Sequence, residues 1–246
     1  SFIFLPSRYP DGDWKRHGLA VEDAEFEAED GTRLHGWYYP REDAAAVVLY
    51  AHGNAGNIAW RTDILRDLHG QAKVSVLMFD YRGYGRSEGS PNEHGVLQDA
   101  RAARKWLAAK VGIPEREIVL MGRSLGGGVA VDLAARDGAR ALVLESTFTS
   151  VPDVAARVYP FIPVRLLMRT RLDSLAKISD FHGPLFQSHG DADALIPVEF
   201  GERLFNAANE PKTFFTIKGG DHNAPQPSRY YQELREFLET LDEDGS

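Results

Sequence analysis

"LMGRSLGGGVA", residues 120–130, sets Ser124 between Gly122 and Gly126, after an apolar run and ahead of a stretch of small residues. Small residues let a helix lie close on a sheet, which is one reason for the glycines. The other is a sharp bend flanked by glycine, which lifts the serine hydroxyl clear of a strand end and opens a helix. The two readings make different demands on the rest of the chain. Packing needs nothing further, whereas a reactive serine needs a base and an acid at neighbouring strand ends.

Working outward, the stretch belongs to a series of buried strands. The apolar runs "AAVVLYAHG" (45–53), "VSVLMFDYRG" (74–83), "EIVLMGRS" (117–124), "ARALVLES" (139–146), "PLFQSHG" (184–190) and "KTFFTIKGG" (212–220) each suit a strand covered on both faces. "AEFEAEDGTRLHGWYYP" (24–40) reads as two further strands joined at Asp30-Gly31. Helical patterns lie between them: "IAWRTDILRDLHG" (58–70), "HGVLQDARAARKWLAAK" (94–110), "LGGGVAVDLAAR" (125–136) and "RYYQELREFLETL" (229–241). Alternating buried strands and amphipathic helices predict a mostly parallel sheet with helices on both faces. No internal repeat and no low-complexity tract interrupts the series.

In such a sheet, ligands bind at the carboxyl ends of the strands. The strand ends carry "HGNAGN" (52–57), "DYRGYGRSEGSP" (80–91), Ser124, Glu145, "HGDADALIP" (189–197) and "GGDHN" (219–223). Serine, acid and histidine therefore arrive in chain order on one edge. A serine hydroxyl is a poor nucleophile until a base takes its proton, histidine titrates in the right range, and a carboxylate fixes the histidine tautomer. Ser124 is the predicted nucleophile and His222, after the last strand, the predicted base. Asp191, Asp193 and Glu145 compete for the acid. The helix opening at Leu125 offers one backbone N–H to a developing oxyanion, and the loop at Asn54 the other. Asp80, Arg82 and Arg86 are expected to pair and pin loops.

Through "HGNAGN", "FDYRGYGRSEGSP", "GRSLGGGVA", "ESTFTS", "HGDADALIP" and "GGDHN", the chain resembles the serine α/β-hydrolase superfamily over nearly its whole length. It looks most like the small enzymes of that group that include depalmitoylase-like hydrolases. The resemblance implies an α/β-hydrolase fold with a mostly parallel eight-stranded sheet, and a triad of Ser124, Asp193 and His222. Asp193 is the acid because it fills the fifth position of the pattern H-G-x-x-D-x-x-I-P.

The interval between "LES" and "PLFQSHG" breaks the alternation. Residues 147–182 form a long connection with short helical patterns broken by Pro160 and Pro163, and a connection of that length reads as a lid over the site within one domain, 1–246. It offers Tyr159, Phe161, Ile162 and Leu167 as contacts for an acyl chain. It also carries Arg157, Arg165, Arg169 and Arg171, which read first as a solvated face and second as a contact for anionic lipid.

Composition narrows the classes. With 28 basic and 36 acidic side chains in 246 residues, the net charge is −8. Nucleic acid is an unsuitable partner for so acidic a surface. The absence of cysteine excludes disulfides, thiolate metal sites and cysteine nucleophiles. No apolar run is long enough to span a bilayer. The opening "SFIFLPSRYP" reads as a strand or arm, or as a stretch lying downstream of a signal or anchor, with a cytoplasmic or membrane-tethered location to match. The expected activity is hydrolysis of a carboxylic ester or thioester, without cofactor or metal. A peptidase or amidase of the same fold and a non-catalytic ligand-binding protein are the alternatives.

Overall fold

The computed structural model describes residues 3–241, so Ser1 and Phe2 of the opening stretch lie outside it. Eight strands make the main sheet: β1 (Glu22–Glu27), β2 (Arg33–Tyr39), β3 (Ala46–Ala51), β4 (Val74–Asp80), β5 (Val119–Arg123), β6 (Leu142–Glu145), β7 (Leu185–Gly190) and β8 (Lys212–Ile217). Their spatial order is β8-β7-β6-β5-β3-β4-β2-β1. β1 pairs antiparallel with β2, β2 pairs antiparallel with β4, and every other neighbouring pair is parallel. The apolar runs produce these strands because a parallel sheet has no wet face: every residue of β4 and β7 is buried.

Among the described residues there are seven helices: α1 (Thr62–Gly70), α2 (Glu93–Val111), α3 (Leu125–Asp137), α4 (Val151–Val158), α5 (Val164–Leu167), α6 (Val198–Ala207) and α7 (Ser228–Thr240). Two apolar cores result, one on each face. Leu49, Leu77 and Phe79 pack with Val96 and Leu107 of α2 and Val129 and Leu133 of α3. On the other face Val48, Tyr50 and Met78 pack with Leu65 and Leu68 of α1 and Tyr230, Leu234 and Leu238 of α7. The chain thus leaves β3 toward α1 on one face and leaves β5 toward α3 on the other. Adjacent strands whose connections diverge in this way open a crevice between their carboxyl ends.

Two departures from the sequence reading concern local structure. The pattern at 58–70 is not one helix: a short 3-10 turn, Ile58–Trp60, precedes α1, and Arg61 sits at the break. Helix α6 has no counterpart in the sequence reading, although Phe200 and Leu204 mark an apolar face four residues apart. The N-terminal arm is a strand of two residues, Leu5–Pro6, paired in parallel with Ala55–Gly56 of the loop after β3.

The connection between β6 and β7 holds α4, α5 and irregular chain. Its two legs are stitched together, Val151 N–H donating to Arg171 O at 2.8 Å and Leu175 N–H to Thr149 O at 2.9 Å. The Glu93 carboxylate at the start of α2 accepts from the Arg171 and Leu172 N–H groups at 2.7 and 3.0 Å. Lys177 meets the buried Asp132 of α3 at 2.6 Å.

Candidate active site

Ser124 caps α3 with φ 52° and ψ −116°, a left-handed backbone that non-glycine residues adopt only when their surroundings force it. The force comes from its neighbours. A Cβ on Gly122 would stand 2.7 Å from Gly127 N, and one on Gly126 would stand 2.7 Å from His52 O and inside the Ala51 carbonyl. Helix α3 therefore starts against the backbone of β3 at a distance that only glycine permits. Ser124 N–H donates to Glu145 O at 2.9 Å, and the Thr147 hydroxyl donates to Ser124 O at 2.9 Å.

At this bend three predicted side chains meet. The Ser124 hydroxyl lies 3.1 Å from His222 Nε2, and His222 Nδ1 lies 2.8 Å from Asp193 Oδ2. With Nδ1 carrying the proton toward the carboxylate, Nε2 is the acceptor for the serine hydroxyl. Asp193 is 5% exposed. Its burial alone would raise its pKa, but His189, His222 and the Ile196 N–H together hold the carboxyl well below the ordinary range. Leu195 and Ile196 N–H donate to its other oxygen at 3.0 and 2.8 Å. It stays ionised and acceptor-only, which suits a group that must orient an imidazole.

The competing acids make other contacts. Asp191 accepts from Gly219 N–H at 2.6 Å and closes the turn. Glu145 accepts from the Tyr50 hydroxyl at 3.2 Å and from Gln226 Nε2 at 2.8 Å, a buried wall of the site. The loop carrying His222 is braced from behind by Arg123, whose Nη2 donates to His222 O at 2.9 Å and Ala224 O at 3.3 Å.

Leu125 opens α3, so its N–H has no intrahelical acceptor. The Asn54 side chain is held in place: Oδ1 accepts from Leu5 N–H and the Tyr84 hydroxyl, both at 3.0 Å, and Nδ2 donates to Ile3 O at 2.6 Å. A cavity of about 690 Å³ opens beside Ser124 and His222, with Asn54, Glu145 and Gln226 among its lining. Leu5, Trp60, Ile64, Leu195 and Tyr231 supply apolar wall. Tyr159, Phe161, Ile162 and Leu167 do not line it. They stand on the outer part of the 147–182 segment with exposures of 55, 99, 48 and 68%. The segment rests on the α2 and α3 side of the sheet, whereas the cavity opens toward α1 and α7. That geometry separates the apolar tip from the cavity.

The expected pairing of Asp80, Arg82 and Arg86 takes another form. Arg82 meets Asp99 at 2.8 Å and Asp30 at 2.7 Å. Arg86 lies over Tyr9 and Trp14 and 3.8 Å from Asp23. Asp80 accepts from Ile58 N–H at 3.0 Å and faces His52 Nε2 at 3.6 Å. Among the described residues no cluster of three His, Asp or Glu side chains is arranged to hold a metal ion, and no helix is long and apolar enough to cross a membrane.

The family model described as serine aminopeptidase, S33, matches residues 42–180, more than half of the chain. The chain belongs to this family of α/β-hydrolases. An uncharacterized Mycobacterium tuberculosis protein is 40% identical to the hydrolase over 226 residues, covering 91% of this chain and 80% of the relative. The α/β-hydrolase domain-containing protein WAV2 of Arabidopsis thaliana is 34% identical over 228 residues, covering 84% and 74%. Among solved structures the hydrolase is similar to the Pyrococcus furiosus esterase Pf2001, with a TM-score of 0.79 at 22% identity and 98% of both chains covered. The expected fold class is thereby met in both architecture and kinship.

His52 of the hydrolase carries a pH prediction. It is fully buried and Nδ1 lies 2.6 Å from Gly53 O. Burial first, then the Arg61 cation, push its pKa below 6.5. Between its native value and 6.5 the unfolded chain binds a proton that the native state refuses, so stability rises with pH across that window. Acidification from pH 6.5 is expected to remove up to about 1.4 kcal/mol per unit through this residue. Chemical unfolding of wild type and His52→Gln between pH 5 and 7 checks it, the variant showing the flatter slope.

Proposed function

We propose that the hydrolase cleaves carboxylic esters or thioesters through an acyl-enzyme on Ser124. The observation that carries this reading is the unbroken chain from Ser124 Oγ to His222 Nε2 at 3.1 Å and from His222 Nδ1 to Asp193 at 2.8 Å, open to the cavity. Ser124 Oγ attacks the carbonyl carbon as its proton passes to His222 Nε2, and Asp193 stabilises the imidazolium. The carbonyl oxygen becomes an oxyanion held by the N–H groups of Asn54 and Leu125. Collapse expels the alcohol or thiol, which takes the proton from His222. Water then attacks the acyl carbonyl as its proton passes to His222, and collapse releases the acid while His222 returns that proton to Ser124 Oγ. No cofactor enters the balance.

The cavity walls bind the substrate beside Leu5, Trp60 and Leu195. The 147–182 segment stands apart from this cavity, and its tip serves a surface. Phe161, Leu166 and Leu167 are 99, 87 and 68% exposed, beside Arg157, Arg169 and Arg171 on a chain of net charge −8. Exposed apolar groups on a segment that also carries exposed arginines suit an anionic bilayer. Reversing Arg157 and Arg169 to Glu is expected to lower hydrolysis of esters held in anionic vesicles at least tenfold and leave a soluble acetate ester untouched. Equal loss on both removes the surface role.

The test of function is hydrolysis of p-nitrophenyl esters of two to sixteen carbons with fluorophosphonate labelling of Ser124. Turnover and labelling support the reading, and the best chain length sizes the cavity. The description of the family model favours a second reading, a peptidase or amidase. Aminoacyl p-nitroanilides cleaved faster than the esters would establish it. Refusal of every substrate and of the label makes the fold a binding protein.

A further inference from the structure

Arg61 has no place in the triad, yet its guanidinium gathers three backbone carbonyls of one loop. Nη1 donates to Asn57 O, and Nη2 donates to Ala55 O and, at 3.2 Å, to Gly53 O. Among the described residues it has no ion-pair partner, so a charged group partly withdrawn from water is engaged wholly with the loop's backbone. The loop is the one after β3 that carries Asn54. A Cβ built on Gly53 would stand 3.6 Å from Ser124 Cβ, so the Gly53–Asn54 peptide passes directly over the serine.

A trans peptide is planar, and its C=O and N–H point in opposite directions. Arg61 and His52 Nδ1 both draw the Gly53 oxygen toward the protein, the latter at 2.6 Å. The Asn54 N–H on the far side of the same plane is therefore turned the opposite way. A guanidinium on the carbonyl also polarises that peptide and makes its N–H a stronger donor. We infer that Arg61 is a positioning residue for the oxyanion hole, holding the Gly53–Asn54 peptide so that its N–H meets the charge that develops on the substrate oxygen. This rests on the acyl-enzyme reading above.

Such a residue acts on the transition state and not on substrate binding. Arg61→Gln keeps a single donor without charge; Arg61→Lys keeps the charge but lacks the fork that spans three carbonyls. The measurement is kcat and KM for p-nitrophenyl acetate beside the inhibition constant of an aryl trifluoromethyl ketone, whose serine adduct carries an oxyanion, with thermal unfolding on the same samples. Arg61→Gln is expected to lose about 10- to 100-fold in kcat with KM unchanged, somewhat less than removal of a whole donor. The ketone is expected to weaken by the same factor, and Arg61→Lys to fall between. If the glutamine variant does not fold, the lysine variant carries the comparison. A folded variant with wild-type kcat and wild-type ketone affinity overturns the inference. So does a lower melting point with unchanged turnover per folded molecule, which makes Arg61 a scaffold group only. Wild-type protein inert to both ester and ketone overturns the acyl-enzyme reading itself, and Arg61 falls with it.

Discussion

Ser124→Ala is expected to lower ester turnover by about 10⁴- to 10⁶-fold, the range seen when a nucleophile that acts with its base is removed. The hydroxyl is the atom 3.1 Å from His222 Nε2, and alanine leaves the imidazole with nothing to deprotonate at that point. The same position carries an effect of opposite sign on stability. At φ 52° and ψ −116° the residue holds a strain of order 1–3 kcal/mol. Alanine keeps that strain, whereas glycine relieves it at an entropic cost of about 0.5–1 kcal/mol. Ser124→Gly should thus be as inactive as Ser124→Ala and melt higher, by about 2–4 °C for each kcal/mol retained at this chain length. Calorimetry beside a p-nitrophenyl acetate assay checks both. Wild-type turnover in either variant would mean a different nucleophile, and equal melting points would mean an unstrained bend.

Gly126→Ala is expected to abolish folded protein. Its Cβ would meet the backbone of Ala51 and stand 2.7 Å from His52 O, on the central strand β3, where β4 and β5 hold both edges. Backbone on both sides leaves no flexible side chain to yield, so the helix must leave the sheet or the strand must break its ladder. The cost is above about 4 kcal/mol, a large share of a domain's whole stability. Gly53→Ala is the control, because its Cβ would find Ser124 Cβ at 3.6 Å, an ordinary contact. Soluble expression and circular dichroism of the two variants decide it. A folded Gly126→Ala would show that α3 can retreat from β3.

The strands are readable because burial on both faces leaves long apolar runs, and the punctuation after each run survives in the sequence as Gly, Ser, Asp or His. That is why Ser124 and His222 can be named from the sequence, whereas Asp193 is singled out from Asp191 and Glu145 only by the family resemblance; the three side chains lie side by side. The features that the sequence hides share a physical cause. Arg61 and Arg123 bind main-chain carbonyls, which every residue possesses, so no side-chain partner announces them. Arg82 finds Asp99 and Asp30 in place of Asp80, because the sheet order decides which acids reach it. Tyr159, Phe161, Ile162 and Leu167 stand out for their apolar character, but the face on which a connection lies depends on where its legs are held. Helix α6 escapes because its apolar face is only a few residues long.

The stitched legs of the 147–182 segment have a consequence for how such a protein can change. Val151 and Arg171 already touch through a backbone hydrogen bond at 2.8 Å, so everything between them leaves and returns at one point. Residues 152–170 are in effect a cassette. A tight turn, or a guest loop of another length and chemistry, joins the same two ends while Glu93 and Asp132 go on holding the stump. Lineages, or engineers, can trade that piece for another without asking the sheet, the bend at Ser124 or the histidine loop to move.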